Sequence, residues 1–248
     1  MVDDSLKAHA RSLWQTLAGA PVTFPSGPGV RVVASPGSQM CPPSWTGIVV
    51  LGDSAIATVP TEDAVVPVQN ALSRIATESL SQPADLQSVL PVESVLGPAT
   101  LAYVSRSSFV PAPPGVVESV PHDHPELRAL LDAVRPDDAD ESGIGEIDSP
   151  AFVVREAGTI TAAAGYRTWP AATAHLCVLT AEESRGLGLA KRVAAAAVDH
   201  ALAARLLPQW RARPAASRRV ARALGFCEMG TQLSVELDSA RLADLTRR

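Results

Sequence analysis

The chain has no excess of positive charge. Its 21 lysines and arginines stand against 26 acids, for a net charge of −5, so the electrostatic footprint of a nucleic-acid binder is missing. Lysine occurs only at Lys7 and Lys191, a bias from which no function follows. The cysteines, Cys41, Cys177 and Cys227, form no Cys-x-x-Cys pair and no metal-ligand spacing. That excludes a zinc ribbon and fits a reducing compartment. No apolar run reaches the length of a membrane span. The opening residues, Met1-Val-Asp-Asp, carry no apolar signal segment. The expectation is a cytoplasmic protein that meets neither membrane nor nucleic acid.

Several phosphate and nucleophile motifs are absent too. A P-loop needs Lys followed by Ser or Thr after its second glycine, but Lys191 is out of register and is followed by Arg192. A dinucleotide fingerprint needs a third glycine where Lys191 stands. A hydrolase elbow around Ser184 would need glycine at Glu182. The His122-Asp123-His124 cluster invites a metal reading. The apolar spacing of Leu127, Leu130, Leu131 and Val134 instead makes it a helix start with Asp123 as the cap.

What is present is a globular composition, 46% hydrophobic over 248 residues, enough for one large or two small domains. Residues 3–17 read as an amphipathic helix. Val30 to Val33 form a short strand, and 47–51 with 54–59 form a hairpin turning at Gly52-Asp53. Helices are expected over 68–80 and after Pro83, and a strand over 96–104. Pro111-Ala-Pro-Pro-Gly115 is the expected boundary, giving an N-terminal α/β region of 1–115 and a second domain of 116–248. In the latter, 137–141 read as an acidic loop that either is solvated surface or draws a cationic amine toward the site. Residues 151–155 and 160–166 form a second hairpin. Its pattern echoes the first, either as a degenerate duplicated half or as an unrelated hairpin.

One stretch organises the rest. Residues 175–179 read as a buried strand, a turn with Arg185, Gly186 and Gly188 follows, and an Ala-rich helix runs over 189–205. The first amides of a helix lack intrahelical partners and point outward. The helix dipole adds partial positive charge there. Gly188 lets the backbone approach an anion closely, and Arg185 adds a guanidinium fork. A strand over 206–212, a helix over 214–224, Gly225 as its cap and a strand over 226–237 complete the chain.

The Arg185-x-x-Gly188-x-Ala190 spacing resembles the pyrophosphate loop of the GNAT N-acyltransferase superfamily. Farther on, Arg213-Pro-Ala-Ala-Ser217-Arg-Arg-Val-Ala-Arg-Ala-Leu-Gly225-Phe226 is similar to a later helix of that family. The resemblance covers about the last hundred residues. It implies an α+β fold, a mixed and mostly antiparallel sheet flanked by helices, with the N-terminal α/β region as an addition that is either a degenerate GNAT-like half or unrelated. It implies acetyl-CoA as cofactor, held by Val178, Leu179 and Thr180 and by Arg185, Gly186, Leu187, Gly188, Leu189 and Ala190. It further implies acetyl transfer to a primary amine of a small molecule or a protein. The other reading is a non-catalytic module that binds acyl-CoA. A homodimer is compatible with either.

Acyl transfer needs a group to take a proton from the amine and a donor for the departing sulfur. The Tyr that often serves as the acid is replaced by Ala221, and the Asn of the pattern by Pro214. Ser217 is then the nearest candidate acid. His175 is the candidate base, with Glu146 and Glu182 as weaker ones. A lone histidine on a strand is equally read as structural.

Overall fold

The computed structural model describes residues 4–113 and 115–245. They divide into two compact units, one of residues 1–101 with 228–248 and one of 102–227. The junction therefore falls before the proline-rich stretch where the sequence pattern puts it. Proline and glycine there punctuate a loop inside the second unit. The last strand belongs with the N-terminal unit because its pairing partners lie there.

In the first unit, helix α1 (Asp4–Leu17) buries Leu6, Ala10, Leu13, Trp14 and Leu17 along one face. Strand β1 (Gly29–Ala34) is followed by β2 (Thr46–Leu51) and β3 (Ser54–Val59), the expected hairpin, both strands buried throughout. Helix α2 (Val65–Leu72) ends earlier than expected. A 3-10 turn at Thr77–Ser81 and helix α3 (Pro83–Val89) follow it. Strand β4 (Val92–Tyr103) runs longer than the pattern indicates. The sheet order is β1-β3-β2, then the chain's last strand, then β4. At the β1 edge, Gln69 of α2 replaces a strand: it accepts from Val32 N–H at 2.9 Å and donates to Val30 C=O at 3.1 Å. That blunts an exposed edge that would otherwise pair with another chain.

In the second unit, β5 (Glu118–Val120), α4 (Pro125–Ala133) and α5 (Pro136–Ser142) come first. The cap of α4 is His124, whose side chain accepts from Glu126 N–H, rather than Asp123. The acidic stretch 137–141 is helical rather than a loop: Pro136 starts α5 and Gly143, in the left-handed region at φ 65°, ends it. A Cβ on Gly143 would stand 2.9 Å from Cys177 Sγ, which accounts for the glycine. Then come β6 (Ala151–Glu156), β7 (Thr159–Trp169), β8 (Thr173–Thr180), α6 (Leu189–Ala203), β9 (Leu207–Ala212) and α7 (Ala215–Ala223), in sheet order β9-β8-β7-β6-β5. The fold is α+β, with antiparallel pairs β5/β6, β6/β7 and β7/β8 and one parallel pair, β8/β9. Leu176 and Trp210 pack with α6 on one face, while Cys177 and Leu179 pack with Leu127 and Leu130 of α4 on the other.

Strand β10 (Cys227–Leu237) and helix α8 (Ser239–Leu245) close the chain, and β10 pairs antiparallel with β2. The two hairpins that echo each other in sequence sit in different topologies. The first has its parallel neighbour, β1, before it in the chain. In the second unit the parallel strand β9 follows β8 through α6. Among the described residues no helix is long and apolar enough to cross a membrane.

Candidate functional site

The parallel pairing of β8 with β9 stops at His175↔Gln209. Beyond that point the strands part, and a cleft of about 540 Å³ opens. Leu176, Val178, Leu179 and Thr180 of β8 and Trp210 and Arg211 of β9 line it. Leu207 N–H donates to Ala172 C=O on the β9 side, whereas Ala181 N–H donates to Thr161 C=O on the β7 side. Backbone groups alternate along a strand. Residues 176, 178 and 180 therefore turn their N–H and C=O toward the opening, where no strand meets them. Thr180 adds a buried side-chain oxygen without a hydrogen-bond partner.

The turn after β8 closes the cleft at one end. Ser184 Oγ donates to Glu156 Oε2 at 2.7 Å and pins the 3-10 turn Glu182–Ser184. Gly186 (φ 82°) and Gly188 (φ 78°) both lie in the left-handed region, and nothing stands within 4 Å of a Cβ at either. Gly188 is the N-cap of α6 and supplies no side chain to the first amides. Those donors, with the dipole of a 15-residue helix behind them, face open space. Arg185, Gly186, Gly188, Leu189 and Ala190 line the cleft, with Lys191 beside them. Leu187 does not: it points outward, 58% exposed.

The candidate acid and base fare differently. Ser217 lines the cleft and accepts from Trp210 Nε1 at 2.9 Å, which leaves its own proton free to donate. Among the described residues no tyrosine lines the cleft, and Tyr166 is bonded to His200 Nδ1. His175 faces away from α6. Its Nδ1 lies 2.6 Å from Gln209 Oε1, and its ring stacks on Trp169 at 4.1 Å and 11°. Burial, then the nearby Arg211 charge, push its pKa down from 6.5 to about 3. The ring is a weak base, neutral across the physiological range, and is not part of the cleft lining. The structure places this candidate base outside the cleft lining, stacked on Trp169 and bonded to Gln209. Glu146 is paired with Arg167, and Glu182 is exposed on the pinned turn. Cys177 is buried, and burial raises its pKa to about 12.

Sequence reasoning left 137–141 between solvated surface and the approach to the site, and missed its ion pairs. Asp138 and Glu141 line the cleft and are already paired, with Arg185 at 2.9 Å and with Arg213. No local pattern places them there, because the pairs join residues far apart in sequence. The cations of the lining with no ion-pair partner among the described residues are Lys191, Arg211 and Arg219.

A parting strand pair met by a glycine-opened helix N-terminus is an architecture for an extended ligand with an anionic end. Residues 146–231 match the GNAT acetyltransferase family model. That stretch takes in β6 to β9, α6 and α7, and with them the loop and the cleft. A GCN5-related N-acetyltransferase from Kribbella flavida is similar in fold, with TM-score 0.50 and 19% identity over 79% of this chain and 91% of that one. A GNAT-family protein from Novosphingobium aromaticivorans is 24% identical over 58% of this chain, TM-score 0.45, and an acetyltransferase from Colwellia psychrerythraea 15% identical over 62%, TM-score 0.46. The chain spans 65% and 60% of these two structures' own lengths. No curated protein matches the chain.

Proposed function

We propose that the protein is an acetyl-CoA-dependent N-acetyltransferase acting on a primary amine of a small molecule or a protein, by direct attack in a ternary complex. The observation that carries this is the β8/β9 opening, where the backbone at 176, 178 and 180 meets no neighbouring strand and leads to the bare N-terminus of α6. The residues fit the cofactor: Gly186 and Gly188 leave space for a pyrophosphate, and Arg185 and Lys191 offer charge beside it. Bound acetyl-CoA supplies a thioester: a C–N bond to the amine forms, the C–S bond breaks, and the amine's proton ends on the sulfur. The Val178 N–H is the candidate donor to an oxygen that gains charge in that step. Ser217 Oγ, polarised by Trp210, holds a proton it can share with an anion in the cleft. With His175 held as a weak base, proton removal from the amine falls to water in the cleft. The experiment is thiol release from acetyl-CoA against an amine panel, beside calorimetry with CoA.

A second reading is a non-catalytic module that binds acyl-CoA. The absence of tyrosine from the cleft lining and the engagement of His175 favour it. CoA binding without thioester turnover on any amine would decide for it.

A further inference from the structure

The cleft has two sides, and they differ in charge chemistry. Side chains alternate across a strand, and Trp210 of β9 packs with α6 while Gln209 and Arg211 point to the other face, toward α5. The bare helix N-terminus, Lys191 and Arg219 belong to α6 and α7. Arg211 stands apart from them. On its face, Arg167 is paired with Glu146 and Arg213 with Glu141. Arg211 alone of the three makes no ion pair or hydrogen bond among the described residues. Its guanidinium lies over the Trp169 ring at 5.6 Å, and that ring stacks on His175. Behind the stack, the fully buried Gln209 has an Nε2 with no hydrogen-bond partner.

We propose that the acyl acceptor is an amine that also carries a carboxylate, and that Arg211 holds this carboxylate on the Trp169 side of the β8/β9 opening. This rests on the acetyltransferase reading above. A planar guanidinium presents paired N–H donors that match a carboxylate in a bidentate way. The Arg211–Trp169–His175 stack orients that fork before anything binds, which lowers the ordering cost of gripping an anion. The glutamates on this face are neutralised by their own arginines, so the unmatched charge is one positive charge. A monoanion fits it, whereas a phosphate dianion would leave charge over. In α5, Asp138 and Glu141 line the cleft already engaged by Arg185 and Arg213, so neither is free to hold the ammonium of a purely cationic amine.

The test uses the full chain with and without saturating CoA. Calorimetric titrations are made with the twenty protein amino acids, β-alanine and γ-aminobutyrate, and with the carboxamide of each compound that binds. At least one carboxylate amine is expected to bind, its carboxamide at least tenfold more weakly. Arg211→Gln, at an exposed position, is expected to make acid and amide bind alike while CoA affinity stays within twofold. No binding by any carboxylate amine, or equal binding of acid and amide to wild type, overturns the proposal. So does an Arg211→Gln variant that loses CoA instead, since Arg211 would then serve the cofactor. An acid that binds through Arg211 but is never acetylated sinks the catalytic reading and leaves this subsite standing. Titration without CoA reads the subsite even if CoA itself fails to bind.

Discussion

Arg185 donates from Nη2 to Asp138 Oδ2 at 2.9 Å, so the guanidinium nearest the open end of α6 is already held by a carboxylate. The pair is substantially exposed, 45% and 35% for the two side chains, and contributes about 0–1 kcal/mol to stability. Its effect is on ligands: an anion entering the loop competes with Asp138. Asp138→Asn is expected to tighten CoA several-fold, and Arg185→Ala to weaken it by about 1–3 kcal/mol, the value of a charge-assisted contact. Calorimetry at low and high salt checks both. If Asp138→Asn leaves the affinity unchanged while Arg185→Ala lowers it, the competition does not exist.

Gly188 is the sharper probe of the loop. Its φ of 78° and ψ of 8° are left-handed, and a Cβ would meet no protein atom. The backbone alone costs an L residue about 1–2 kcal/mol there, and more for a β-branched one. Gly188→Val is expected to abolish CoA binding while far-UV circular dichroism stays near wild type. Wild-type CoA affinity in the folded variant would remove the phosphate-loop assignment.

Ser217→Ala is expected to lower kcat at least tenfold with CoA affinity within twofold. Because Trp210 Nε1 loses its acceptor, the melting temperature should fall as well, for a cost of about 1–3 kcal/mol. Ser217→Thr keeps the hydroxyl and should restore part of the rate. A fall in Tm without a fall in kcat would make Ser217 a packing residue only.

His175 gives a pH signature in stability rather than in rate. With a folded-state pKa of about 3 against the ordinary 6.5, the unfolded chain takes up the proton first. The contribution is fully present above pH 6.5 and is lost as pH falls from 6.5 toward 3, with a slope of at most about 1.4 kcal/mol per pH unit. Denaturant midpoints across that window should fall with acid in wild type and less steeply in His175→Gln. A pH–rate limb near 6.5 that vanishes in His175→Gln would instead restore the histidine as a base.

The parts of this architecture that were legible in sequence are those set by local chemistry. Gly52-Asp53 between two apolar runs gave the β2/β3 hairpin, and the glycines before an Ala-rich run gave the loop and α6. The pattern Leu127, Leu130 identified α4. The acidic stretch of α5 lacks an apolar stripe and so reads as a loop. It is helical because Pro136 and Gly143 bracket it and because Asp138 and Glu141 find arginines from distant segments. His175 shows the same limit: its spacing suits a base, but Gln209 and Trp169, which bond and stack its ring, arrive through tertiary pairing. Arg211 has no motif at all, and its isolation is visible only once its neighbours' partners are known.

Strand β10 lies last in the chain, yet its register with β2 runs from Gly230↔Leu51 to Val235↔Thr46. An expression boundary at residue 116 would sever those partners by chain order alone. The resulting fragment would carry a strand with a bare edge, prone to self-association. Supplied together, 1–115 and 116–248 have the makings of a split protein: the edge left bare on one piece is the edge that pairs with the other.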